Sequence, residues 1–153
     1  MGNAKINIAI VSLDKKFTKS VAESLSQKLE MFVADCFDMV AYELTDPKEV
    51  IDLCGIDYFK KRQKSVVQNC AEYHDTVISV DYDLFKEYSS LFQFSYIFYL
   101  RLPKERVKET VHLIEFESRD KFLKENTNYL VELDGTTISK AVGRVIMKLG
   151  EEQ

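Results

Sequence analysis

Glycine is scarce in this chain, five in 153 residues, and none stands between Gly2 and Gly55. That gap spans the first strand–helix stretch, Ile6–Leu29, where a phosphate-binding loop of glycines and bare backbone N–H groups would sit. Such a loop is excluded in its usual form. Only two prolines occur, with no repeat and no low-complexity tract, so nothing marks a linker and one domain covering 1–153 is expected. No run approaches the roughly 18–20 apolar residues of a membrane span. The opening MGNAKIN has neither an apolar signal core nor a good myristoylation pattern, which predicts a cytoplasmic protein. Lysine and arginine number 21 against 25 Asp and Glu, a formal charge of −4, so nucleic acid and anionic membranes are not favoured partners. Cys36, Cys54 and Cys70 make no even set and no C-x-x-C pair; they read as buried reduced thiols.

What is present is core. The chain is 46% hydrophobic and 12% aromatic, enough to fill one domain. Ile6, Ile8, Ile10 and Val11 form a nearly continuous apolar run, as in a parallel strand covered on both faces. Phe17, Val21, Leu25 and Leu29, four apart, make one helical stripe, with Asp14 as its natural N-cap. Further on, strands are predicted at Met31–Ala34, Thr76–Val80, Phe94–Leu100 and Tyr129–Leu133. Helices are predicted at Phe37–Leu44, Pro47–Cys54, Asp57 to about Glu72, Asp83–Tyr88, and Thr137–Leu149. Pro103 opens another, with a turn near Ser118 separating it from a second piece through Lys124. The alternation predicts an α/β fold, a three-layer doubly wound sheet of five mainly parallel strands with helices on both faces. Ligands of such sheets bind outside the carboxyl ends of the strands. Ser12–Ser20, Asp35, Val80–Asp83 and Arg101 then share one rim, overhung by Lys60, Lys61 and Arg62.

At that rim two readings of the first helix start stay open. Asp14 as a cap takes the N–H groups that a phosphate needs and repels its charge, while Lys15, Lys16 and Lys19 offset the repulsion. Asp35 reads as an end-of-strand cap or as a weak magnesium ligand without a companion carboxylate. Lys60, Lys61, Arg62 and Lys64 form either a solvated helix face or a substrate grip. His74 beside Asp75 falls in a surface turn and His112 on the helix after Pro103, neither with the nucleophile that catalysis needs. The aromatics dense from Tyr82 to Tyr99 are expected in the core. Exposed aromatics would mark a partner surface, and a homodimer is its simplest occupant.

In order and spacing, nearly the full length resembles the shikimate kinases of the P-loop nucleoside monophosphate kinase superfamily. Aligned on the helix stripe, Ser12, Lys15 and Phe17 stand where the family has loop glycines, and Thr18, Lys19 and Ser20 meet its Lys, Ser and Thr. A one-residue slip pairs Lys19-Ser20 with the family's Lys-Ser instead. The resemblance thus implies a degenerate phosphate-binding loop. The family's Asp-x-Asp, concerned with magnesium and substrate, is matched by Asp35-Cys36-Phe37, which keeps the first carboxylate only. Its Gly-x-x-x-Phe-Arg-x-x-Glu, whose arginine grips the substrate carboxylate, is matched by Gly55 to Gln63, with Lys60 in the arginine's place. Lysine cannot make the bidentate fork. Val80-Asp81-Tyr82 replaces a Gly-Gly-Gly, and the 18 residues between Leu100 and Arg119 leave no room for the family's arginine-bearing lid. Arg119 to Asn128 follows the family's Arg-x-x-Leu-Tyr-x-x-x-Ala-Asp, so the resemblance implies that Arg119 is the substrate-binding arginine retained; it binds an anion or pairs with Asp35 or Glu125.

Three functions are open on these residues. The leading one is a catalytically inactive shikimate kinase-like protein with a binding or regulatory role, toward a protein partner or a small anionic ligand at Lys15, Lys16, Thr18, Lys19, Ser20, Lys60 and Arg119. No cofactor goes with it. The alternative is an ATP-dependent small-molecule kinase with an atypical nucleotide site built from Lys15, Lys16, Lys19 and Arg101, and only this reading calls for ATP and magnesium. A receiver-like module, with Asp81 as acceptor, is the third.

Overall fold

The apolar run after Lys5 forms β1 (Asn7–Val11), every residue of which is buried. In the computed structural model, which describes residues 5–107 and 113–151, it leads through three residues into α1 (Lys15–Leu29). His112 and residues 1–4, both read from the sequence above, lie outside the described residues. The chain continues with β2 (Phe32–Asp35), α2 (Cys36–Glu43), α3 (Pro47–Cys54), α4 (Ile56–Ala71), β3 (Thr76–Val80), α5 (Tyr82–Tyr88) and a 3-10 turn at Ser89–Phe92. It closes with β4 (Ser95–Arg101), α6 (Lys104–Val107), α7 (Leu113–Asn126), β5 (Tyr129–Glu132) and α8 (Ile138–Glu151).

The strands lie in the order β2-β3-β1-β4-β5 and all four pairings are parallel, with Ile8 opposite Val77 on one side and Tyr96 on the other. β3, like β1, is buried throughout, so helices cover both faces of the central strands as expected. α1 packs along β3 and against α8, while α4 packs against α2, α3 and α5. A receiver-like sheet runs 2-1-3-4-5. The observed order overturns that reading. Phe85, Phe92, Phe98 and Tyr99 are fully buried, which bears out the aromatic core. Asn7 is one of several buried polar residues beside it: its Nδ2 donates to the carbonyls of Ala71 at 2.9 Å and Tyr73 at 2.8 Å, and its Oδ1 accepts from Ser95 Oγ. No described helix is long and apolar enough to cross a membrane.

Three local expectations are corrected. No turn separates two helices at Ser118; α7 runs through it, and the Ser118 hydroxyl is absorbed by the Glu115 carbonyl at 3.1 Å. β2 begins at Phe32 rather than Met31, because the Met31 N–H still bonds the Ser26 carbonyl as the end of the α1 turn. Cys36 and Cys70 are buried free thiols, but Cys54 is exposed, since it ends a helix with no buried residue.

Candidate functional site

The connection from β1 to α1 is Ser12-Leu13-Asp14, three residues without glycine. Asp14 has extended backbone and its Oδ1 accepts the Phe17 N–H at 3.0 Å, so the expected cap is present and α1 starts directly after it. Inside the turn, Ser12 Oγ lies 2.5 Å from Thr18 Oγ1, and both hydroxyl oxygens lie 2.9 Å from the Asp14 carbonyl, so one hydroxyl donates to the other and the second donates to that carbonyl. Ser12 and Thr18 are buried in that knot, whereas Lys15, Lys16 and Ser20 are exposed along α1.

Beside this junction, Asp35 ends β2 and caps α2: its Oδ1 accepts the Asp38 N–H at 2.9 Å, and its Oδ2 accepts from Ser79 Oγ at 2.7 Å. Both oxygens therefore accept a hydrogen bond within the fold. Asp38, one turn on, pairs with Lys19 at 2.5 Å; the hydrogen bond and charge of Asp38 push the Lys19 ammonium up. Lys15 Nζ sits 2.8 Å from the centroid of the Phe37 ring, a cation–π contact between the starts of α1 and α2. At the end of β3, Asp81 caps α5 through the Leu84 N–H at 3.4 Å. Its Oδ1 is buried with no hydrogen-bond partner among the described residues, and burial pushes this carboxyl up.

Arg119 projects from α7 over the Tyr82 ring, its Cζ 4.6 Å from the centroid, and its acidic partner is Glu115 at 3.7 Å rather than Asp35 or Glu125. Lys60 makes an ion pair with Glu87 at 3.0 Å, and Arg62 of the same helix pairs with Glu43 at 3.6 Å. At the end of β4, Arg101 donates to Asp120 at 2.8 Å, and Asp120 also accepts the Tyr99 hydroxyl at 2.5 Å. Arg101 thus belongs to a side-chain network at the β4–α7 contact.

The fold gathers Lys15, Lys19, Asp35, Asp38 and Asp81 at the carboxyl ends of β1, β2 and β3, as the sequence predicts for all but Asp38. It gives Lys15, Lys19, Lys60 and Arg119 local acceptors within the domain. Among the described residues no group of three or more His, Cys, Asp or Glu side chains is placed to hold a metal. Sequence reasoning missed Ser79 and Asp38 as partners of Asp35 and Lys19. It also missed Asp120, whose inward position could have been read from its place between the buried Phe116 and Leu123 at spacings of four and three.

No protein-family model matches the sequence, and no curated protein matches it. In structure, the shikimate kinase of Acinetobacter baumannii in complex with shikimate is similar at 15% identity over 99% of this chain and 96% of that one, with a TM-score of 0.75. The shikimate kinase of Aquifex aeolicus vf5 is similar at 16% identity over 96% of this chain and 98% of that one, TM-score 0.73. A gluconokinase from Sinorhizobium meliloti 1021 is similar at 9% identity over 97% and 94%, TM-score 0.53. The β1–α1 junction and the sheet ends described above therefore stand on a shikimate kinase-like fold, the fold of the P-loop kinases.

Proposed function

We propose that the protein is a catalytically inactive shikimate kinase-like domain that has kept the fold for binding or regulation. The observation that carries this reading is the β1–α1 junction. A phosphate cradle needs free backbone N–H groups, glycines that let the backbone come close, and no competing negative charge. Here three residues make the turn, the Ser12 hydroxyl and the Thr18 hydroxyl of α1 are bonded to each other and to the Asp14 carbonyl, and the Asp14 carboxylate takes the Phe17 N–H. The residues present do not fit the phosphates of ATP. Nor do they fit its magnesium: Asp35 already accepts from Asp38 and Ser79, and among the described residues no group of three or more His, Cys, Asp or Glu side chains gathers to share a metal with it. Phosphoryl transfer is almost wholly positioning and electrostatic stabilisation, so a fold without the cradle has little catalysis left to supply. The ligand is a protein partner, or a small anion that exchanges the internal partners of Lys15, Lys19 or Arg119 for its own.

A thermal-shift titration with ATP, ADP and magnesium, with and without shikimate, tests this. A ligand at a hundred times its dissociation constant stabilises the fold by about 2.7 kcal/mol, several degrees for a domain of this size. No shift is expected with nucleotide. A nucleotide shift that disappears in Lys19→Ala would revive the ATP-dependent kinase reading and call for an assay of phosphoryl transfer, while a shift with shikimate alone, lost in Arg119→Ala, would make the small anion the ligand.

A further inference from the structure

From Thr45 to Tyr58 not one residue is buried, and only Val50 and Ile51 rest partly against the core. Within that stretch Leu53 is 76% exposed, Ile56 50% and Tyr58 46%. A single exposed leucine needs no explanation; three large apolar side chains within six residues, on one short helix and its junction to the next, do. Leu53 also lines an open depression of about 450 Å³ together with Asp46, Lys48, Glu49 and Asp52. Two of those acids have a local reason to be there, since Asp46 caps α3 through the Glu49 N–H at 3.1 Å and Glu49 lies in its first turn. Asp52 has none: it sits near the end of α3, where the helix dipole disfavours a carboxylate. None of the four charges makes an ion pair among the described residues, although the neighbouring Lys60 and Arg62 do. The depression therefore carries three unpaired carboxylates against one lysine, around an uncovered apolar side chain.

We propose that this face of α3 and the start of α4 docks a basic amphipathic helix of a protein partner. Its apolar stripe would cover Leu53, Ile56 and Tyr58, and its lysines or arginines would meet Asp46, Glu49 and Asp52, the helix-on-groove mode of recognition. The same charges repel an anionic membrane or a nucleic acid. The proposal rests on the reading of the domain as a binding scaffold and names its partner by chemistry.

Cys54 supplies the readout, being exposed where Cys36 and Cys70 are buried. The probe is a synthetic amphipathic helix of leucine and lysine, with a leucine–glutamate peptide of the same pattern as control. At ten times its dissociation constant the basic peptide leaves about one site in eleven free, so reaction of Cys54 with a disulfide reagent should slow about tenfold. Amide shifts in a nitrogen–proton correlation spectrum should be confined to residues 46–58. Leu53→Asp should abolish both effects, and Glu49→Lys with Asp52→Lys should pass the preference to the acidic peptide; all these positions are exposed, so the variants fold. Shifts elsewhere on the domain, equal binding of the two peptides, or indifference to the variants would overturn the proposal. So would a dimer that Leu53→Asp converts to monomer, because the occupant would then be a second copy. MgATP is run as a separate arm: stabilisation by nucleotide together with phosphoryl transfer sinks the inactive-kinase reading and leaves the peptide result standing, and the converse holds.

Discussion

Asp120 joins α7 to β4 by taking the Tyr99 hydroxyl and the Arg101 guanidinium, and it also pairs with the Lys124 ammonium one turn along α7. Burial by itself would raise this carboxyl. The hydrogen bonds from Arg101 and Tyr99, with the charge of Arg101 and the bond from Lys124, outweigh burial and hold it below the ordinary carboxylate range. Burial and the same contact push the Tyr99 hydroxyl far up, so it stays a neutral donor. With its side chain only 10% exposed, Asp120 is unlike the surface ion pairs, whose net worth is small. Asp120→Asn should therefore destabilise the domain at pH 7 by about 1.5–3 kcal/mol, the range for hydrogen bonds to charged groups. The sign of the pH dependence follows from the lowered value. A carboxyl lower in the folded than in the unfolded chain stabilises fully above its ordinary value of about 4 and loses that contribution as pH falls through its folded value. Urea unfolding at pH 7 and pH 3 should show the gap between wild type and Asp120→Asn narrowing at the lower pH. A constant gap would mean that the contribution is packing rather than ionisation.

Among the elements, those with a strong local signal were legible from the sequence. Pro47 after Thr45-Asp46 fixed the start of α3, and the β-branched run Thr76–Val80 is β3 residue for residue. α7 was misread because its inward face carries Asp120 between Phe116 and Leu123, which breaks the apolar stripe and leaves Ser118 looking like a stop. α1 was legible down to its cap, and that cap can be weighed. Removing the carboxylate in Asp14→Ala leaves the Phe17 N–H without its acceptor, at a cost of about 1 kcal/mol. For a domain of this length that is a fall in Tm of roughly 2–4 °C, read by thermal denaturation, with Asp14→Asn close to wild type. If Asp14→Ala melts higher and gains a phosphate-dependent shift, the carboxylate has been blocking an anion site rather than serving the helix.

At the scale of the whole molecule, the partners at the rim depend on strand order, which the sequence left open. Placing β3 between β2 and β1 brings Ser79 to Asp35, and β4 beside β1 brings Ser95 to Asn7. Those residues lie 44 and 88 apart in sequence, so no local pattern could pair them. The same order sets a gradient of stability. β1 is bonded on both edges and buried on both faces, while α3 has no buried residue. Native-state hydrogen exchange should then find the amides of Ile8–Val11 opening only with global unfolding, and those of residues 50–54 opening locally at far lower cost. Slow exchange in α3 of the isolated chain would mean that its apolar face is already covered, by self-association. Added basic helix should slow exchange in α3 and, through the binding linkage, raise the global opening energy of β1 by the same binding free energy. A rise in β1 without any in α3 would place the binding site elsewhere on the fold.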